Sequence, residues 1–156
     1  MLQEMKLIIF AEMNWFVPFI PAHLGLQKKR NLKKMKIIIA GGRDFDNYNM
    51  VEQTMKNLDL PVTEIVCGCA PGADRLGEKW AINNGIKVTY FPADWDNYGI
   101  SAGFIRNAEM AEYADYLVAF WDMKSSGTKH MIETMEKYGK HSTVMPYENT
   151  PVFDIR

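Results

Sequence analysis

Cysteine is scarce in this chain, with two in 156 residues, Cys67 and Cys69. That count excludes a scaffold held by several disulfides. A Cys-x-Cys pair with His23, His130 and His141 far off in sequence is also a poor metal signature, so no metal site is expected. Strand alternation would put both thiols on one face, and structural cysteines of a reducing, cytoplasmic compartment are expected. A basic surplus is missing too, since the formal net charge is −1. Residues 1–34 hold six Lys/Arg against two Glu, whereas residues 35–156 hold twelve Lys/Arg against seventeen Asp/Glu. A protein that tracks a nucleic-acid backbone needs a basic face, so this balance weighs against nucleic acid as a partner. The dinucleotide fingerprint G-x-G-x-x-G does not occur either, which removes the standard case for NAD as a cofactor. No internal repeat or low-complexity tract is present.

No clean hydrophobic span is found. The stretch from Leu7 to Leu26 is apolar and aromatic, but Glu12, Asn14, Pro18, Pro21 and His23 interrupt it. The basic run Lys28-Lys29-Arg30 follows the apolar stretch instead of preceding it, which does not suit a signal peptide. A membrane role is therefore not expected. Met35 stands directly before the first strand-like run. Residues 1–34 are expected to form an appendage outside the fold, with residues 35–156 as one domain.

What is present is an alternation of two periods. Lys36–Ala40 is a continuous β-branched run suited to a strand covered on both faces. Val51, Met55 and Leu58 follow at helical spacing. Strands are then expected at 64–67, 87–91, 116–120 and 142–145. Helices are expected at 74–84, 101–114 and 126–138, with Gly85 and Gly139 as stops. Leu76, Trp80, Ala81, Met131, Ile132, Met135 and Tyr138 are expected to face inward, and the tail after Pro146 to pack loosely. Strict alternation implies right-handed crossovers and an α/β, Rossmann-like three-layer sandwich. Its five-stranded parallel sheet is expected in the order 3-2-1-4-5.

Loop motifs recur where these strands end, and in such a sheet the strand carboxyl ends form one crevice. Gly41, Gly42 and Arg43 follow the first strand and suit close backbone approach to a ligand, or a tight turn with a surface Arg. Gly68, Gly72, Ala73 and Asp74 lead into the second helix, where Asp74 either caps it or meets a ligand. Asp94 could accept from ribose hydroxyls, and Trp95 or Tyr98 could stack on a base or simply pack. Arg106 and Asn107 open a helix turn with Met110 on the same face as Arg106. An Arg fork there suits a phosphate, the alternative being an ion pair with Asp94 or Glu109. Ser125, Ser126, Gly127 and Thr128 start a helix, where hydroxyls and free N–H groups make an anion nest or a plain cap.

These motifs, together with Phe91-Pro92-Ala93-Asp94-Trp95, Arg106-Asn107-x-x-Met110 and Phe120-Trp121 leading into Ser126-Gly127-Thr128, resemble the SLOG superfamily. The branch they resemble is the YspA/YpsA-related one, frequent in phages and bacteria. The resemblance runs from the strand at Lys36 to about Val144 and implies a Rossmann-like fold with a nucleotide-type ligand. The related LOG branch carries an Arg-Lys-x-x-Met helix with its Arg in the active site, the place that Arg106 takes here. That branch also has a catalytic Glu three or four residues past its last loop glycine, where this chain has His130 and Met131. Release of a base from a nucleoside monophosphate is therefore not expected, and Glu133 lies nearly a turn too far to substitute.

Three functions remain in view. The first is binding, as a sensor or sequestering module, of a nucleotide or NAD-derived small molecule. The second is a hydrolase or phosphoribosyl-type enzyme of the LOG-like class, with Asp94 and Arg106 as catalytic candidates and Asp74 and Asp122 as further carboxylates. The third is DprA-like binding of single-stranded DNA. No cofactor beyond the nucleotide ligand is expected, and a homo-oligomer is.

Overall fold

The computed structural model describes residues 34–148. The expectations for residues 1–33, and for the chain after Glu148, lie outside the described residues. The elements are β1 (Met35–Gly41), α1 (Tyr48–Leu58), β2 (Val62–Cys67), α2 (Ala73–Asn83) and β3 (Lys87–Tyr90). A short helix α3 (Trp95–Tyr98) and a 3-10 turn (Gly99–Ser101) precede α4 (Ala102–Tyr113). The chain then runs through β4 (Tyr116–Trp121), α5 (Ser126–Lys137) and β5 (His141–Pro146). All five strands are parallel, in the order β3-β2-β1-β4-β5. The architecture and strand order are those expected.

Alternation along the strands builds two cores. Ile37, Ile39, Ile65, Val118 and Phe120 point to one face, where Val51 and Met55 of α1 and Trp80 and Ala81 of α2 cover them. Ile38, Ala40, Val66, Leu117 and Ala119 point to the other and meet Met110 and Ala111 of α4 and Met131 and Met135 of α5. A strand buried on both faces needs apolar residues at every position, which is why β1 reads as an unbroken aliphatic run. Gly85 and Gly139 both have a φ of 65°, the left-handed conformation with which helices commonly end.

Several local expectations are corrected. Tyr138 is 44% exposed, not inward, because α5 ends at Lys137 and the residue lies past the apolar stripe. Leu76 and Ile132 do face inward, packing against the two cores while staying partly exposed. The stretch read as loop between β3 and α4 contains α3, started by the Asp94 side chain accepting from Asn97 N–H at 3.1 Å. Nor does the chain after Pro146 hang loosely at once. The Tyr147 ring lies 4.8 Å from that of Phe45, which stacks on Phe120 at 4.6 Å. Its hydroxyl donates to Asp44 Oδ1 at 2.9 Å. The thiols do not share a strand face, since β2 ends at Cys67 and Cys69 sits beyond it with a φ of 63°. Cys67 is buried, and burial pushes its thiol up to about 12.

Among the described residues, no helix is long and apolar enough to cross a membrane.

Candidate functional site

The register aligns the carboxyl ends of β1 and β4, pairing Gly41 with Phe120. Helix α1, after β1, covers one face of the sheet, and α5, after β4, covers the other. The loops leaving these neighbouring strands therefore part, and the gap between them is the switch-point crevice of an open α/β sheet. It encloses about 510 Å³. Ten residues singled out in the sequence line it: Gly41, Gly42, Arg43, Asp74, Trp95, Arg106, Asn107, Ser126, Gly127 and Thr128. Asp122 and Ser125 line it as well.

Arg106 lines the crevice from α4. The guanidinium Nη1 donates to the Gly68 carbonyl, and Nε donates to Asn107 Oδ1 at 3.1 Å. A guanidinium has five N–H groups, so these bonds orient it and still leave donors for an anion. The charged group beside it is the buried Asp74, not the Asp94 or Glu109 that the sequence offered as alternative partners. Asp74 does not cap its own helix. It accepts from Ala70 N–H at 3.3 Å and so braces the loop after β2. Burial raises its carboxyl to about 6, against the pull of Arg106, the backbone N–H groups and Arg43.

Buried Asn107 joins this group to α5. Its Nδ2 donates to the Gly127 carbonyl at 3.3 Å and lies 3.3 Å from His130 Nδ1. One residue thus sets both the pose of Arg106 and its distance from the start of α5. That helix start is itself built locally. Asp122 Oδ1 accepts from Lys124 and Ser125 N–H at 3.0 and 2.7 Å. Ser125 Oγ accepts from Thr128 N–H at 3.4 Å and from Thr128 Oγ1 at 3.0 Å. Ser126 and Gly127 remain exposed, and first-turn N–H groups have no carbonyl partner within the helix. Capping and an anion nest coexist here.

Four residues singled out in the sequence do not line the crevice. Gly68 and Gly72 serve the loops beneath it. A Cβ on Gly68 would fall on the Arg106 guanidinium and the Asp74 carboxylate, and one on Gly72 would fall on the Gly42–Arg43 backbone. Ala73 N–H donates to the Gly42 carbonyl at 3.2 Å, so this close approach is chain to chain. Asp94 is exposed, and the Asn97 bonds that hold its carboxyl below the usual range tie it to α3.

Sequence reasoning found Trp95 but passed over the rest of the uncovered apolar ledge at the mouth. Ile100 is 92% exposed, Trp95 51% and Phe104 46%, and all three line the crevice. The edge of Trp95 rests near Gly103, and Phe104 leans on His130 with ring centres 4.5 Å apart. The signal was available in two apolar residues, Ile100 and Phe104, set among glycines directly after an aromatic loop. Asp44 was also passed over, and Tyr147 holds it. Met131 lines the crevice at a place where the LOG resemblance calls for a carboxylate. Glu133 instead points outward, 3.7 Å from Lys129.

Residues 35–98 match the profile of the YspA, cpYpsA-related SLOG family. Among curated proteins, the Gene 61 protein of Mycobacterium phage D29 is 38% identical over 81 residues, which is 48% of this chain and 65% of that protein. Among solved structures, the X-ray structure of DNA processing protein A (DprA) from Streptococcus pneumoniae superposes with a TM-score of 0.61 at 19% identity. That match covers 78% of this chain and 53% of the DprA chain, so the chain spans less than two thirds of either relative. At that identity the DprA likeness is one of fold. Over residues 35–98 the chain is thus similar to the YspA, cpYpsA-related SLOG family, and its Rossmann-like fold is one that DprA shares.

Proposed function

We propose that the crevice binds a nucleotide or an NAD-derived small molecule. The phosphate is held between Arg106 and the start of α5, and the base lies on the ledge of Trp95, Ile100 and Phe104. The observation that carries this reading is the convergence of an oriented guanidinium, a helix start and uncovered aromatic surface in one crevice. A concave site with apolar walls and a few converging polar groups is the common form of a small-molecule site. Arg and a helix start each favour an anion, and an aromatic face favours a base.

Exposed aromatics also suit single-stranded DNA, and DNA processing protein A shares the fold. Charge favours the small ligand. The crevice is lined by two arginines, Arg43 and Arg106, and three aspartates, Asp44, Asp74 and Asp122. A strand carrying a phosphate at each nucleotide requires a positively charged groove, whereas one small ligand requires only one local anion site.

The test begins with mass spectrometry of small molecules released from purified native protein. Calorimetric titration with AMP, ADP-ribose, NAD and an oligothymidine follows. Saturable binding of a mononucleotide or dinucleotide is expected, with the oligothymidine weaker. Arg106→Ala is expected to weaken that binding by about 2 kcal/mol, the scale of a charge-assisted contact. Unchanged affinity in this variant would remove Arg106 from the anion site, and preference for the oligothymidine would replace the reading with DNA binding.

A further inference from the structure

Arg106 and Asp74 lie on either side of Gly68, close to the place where a side chain there would begin. The place a Cβ would take is flanked by the guanidinium on one side and the carboxylate on the other. Both residues line the crevice, yet Asp74 is only 5% exposed. A carboxylate this far out of water interacts strongly with any charge that arrives next to it. The groups facing it are Arg106 from α4, Arg43 from the loop after β1 and the N–H groups of Gly68 and Ala70. Cys67, at the end of β2, donates to the Asp74 carbonyl at 3.7 Å and keeps its proton. On α2 itself, Arg75 and Glu78 pair with each other at 3.8 Å.

We propose that Asp74 sets the charge preference of the anion site. It is the resident counter-ion of Arg106, and a ligand phosphate binding to Arg106 drives uptake of one proton from solvent onto the Asp74 carboxylate. The proposal rests on the reading of the crevice as a nucleotide site. Its physical basis is that a phosphate brought to Arg106 repels the buried Asp74 carboxylate beside it, and two like charges so close raise the pKa of one. The phosphate of a bound diester has no proton to take up, so the carboxylate must. Burial already raises Asp74 to about 6, so a phosphate beside it moves protonation into the neutral range. Binding therefore tightens as pH falls through neutrality, and levels off once Asp74 is protonated in the free protein.

The experiment is calorimetric titration of the full chain with AMP and with ADP-ribose between about pH 5.5 and 8.5. At each pH, two buffers of different ionisation enthalpy are used, so that proton uptake is read directly. ADP-ribose has no group titrating in that range. AMP titrates near pH 6, but equally against wild type and Asp74→Asn. Wild type is expected to take up close to one proton with ADP-ribose near neutral pH. Asp74→Asn keeps an acceptor for Ala70 N–H and is expected to take up none. It should bind on the order of a hundredfold tighter than wild type at the alkaline end and converge with it at the acid end. Zero uptake by wild type with ADP-ribose, or the same pH profile in both proteins, overturns the role of Asp74 and leaves the nucleotide reading standing. The wild-type uptake does not depend on the variant folding. Binding of neither ligand overturns both.

Discussion

Met131 carries a consequence that reaches the whole chemistry of the crevice. Its buried thioether lines the place where the LOG resemblance calls for a carboxylate, and His130 beside it is turned against Phe104. Burial lowers the His130 pKa, so the ring brings no fixed charge. Release of a base from a nucleotide develops positive charge on the ribose, which a positioned carboxylate stabilises. Asp122 is engaged by two backbone N–H groups and Asp94 by α3, so neither is free to take that place. Incubation with AMP is therefore expected to yield no free base above the uncatalysed level by chromatography. Turnover that Arg106→Ala abolishes would make the protein an enzyme and displace the binding reading.

At the scale of elements, the end of α4 shows how one long side chain closes a helix from outside it. Lys140, in the turn before β5, donates through Nζ to the carbonyls of Ala111, Glu112 and Ala114 at 2.7, 2.6 and 2.6 Å. The last carbonyls of a helix lack partners and carry its negative end, so a cation there stabilises twice over. This contact also ties α4, which carries Arg106, to the turn after α5. Lys140→Met keeps most of the stem and removes the donors. It is expected to cost about 1–2 kcal/mol in chemical denaturation. A loss below a few tenths of a kcal/mol would show that water replaces the lysine at no cost.

For the molecule as a whole, the five strands and the helices on both faces close two apolar cores within residues 34–148. The helices cover both faces of the central strands β1, β2 and β4. We propose accordingly that residues 1–34 add little to the stability of the fold. A chain beginning at Met35 is expected to melt cooperatively within about 3 °C of the full chain. A fall several times larger, or aggregation on removal, would show that the first segment packs on the domain.

Much of this was legible in the sequence because it depends on local rules. An aliphatic run marks a strand buried on both faces, a helical stripe marks its covering helix, and a glycine past the stripe marks the stop. Strict alternation of those elements leaves few topologies, which is why the strand order could be written down before the structure. The convergence of Arg106, Asn107 and Ser126–Thr128 follows from the same rule, since each belongs to an element at a strand carboxyl end. Only the tertiary structure decided which charges meet. Arg106 finds Asp74 and not Asp94, because β2 lies next to β1 while the loop after β3 winds into α3 and consumes Asp94 as its cap. Likewise Tyr147 reaches Asp44 because β5 returns beside β4, next to β1. The exposure of Ile100 and Phe104 was decided at that level too, since a sequence marks an apolar residue but not whether a neighbour covers it. Period and capping act within a few residues, whereas charge pairing and burial act across strands. The first are written along the chain, and the second arise only once strand order and register bring distant loops to one edge.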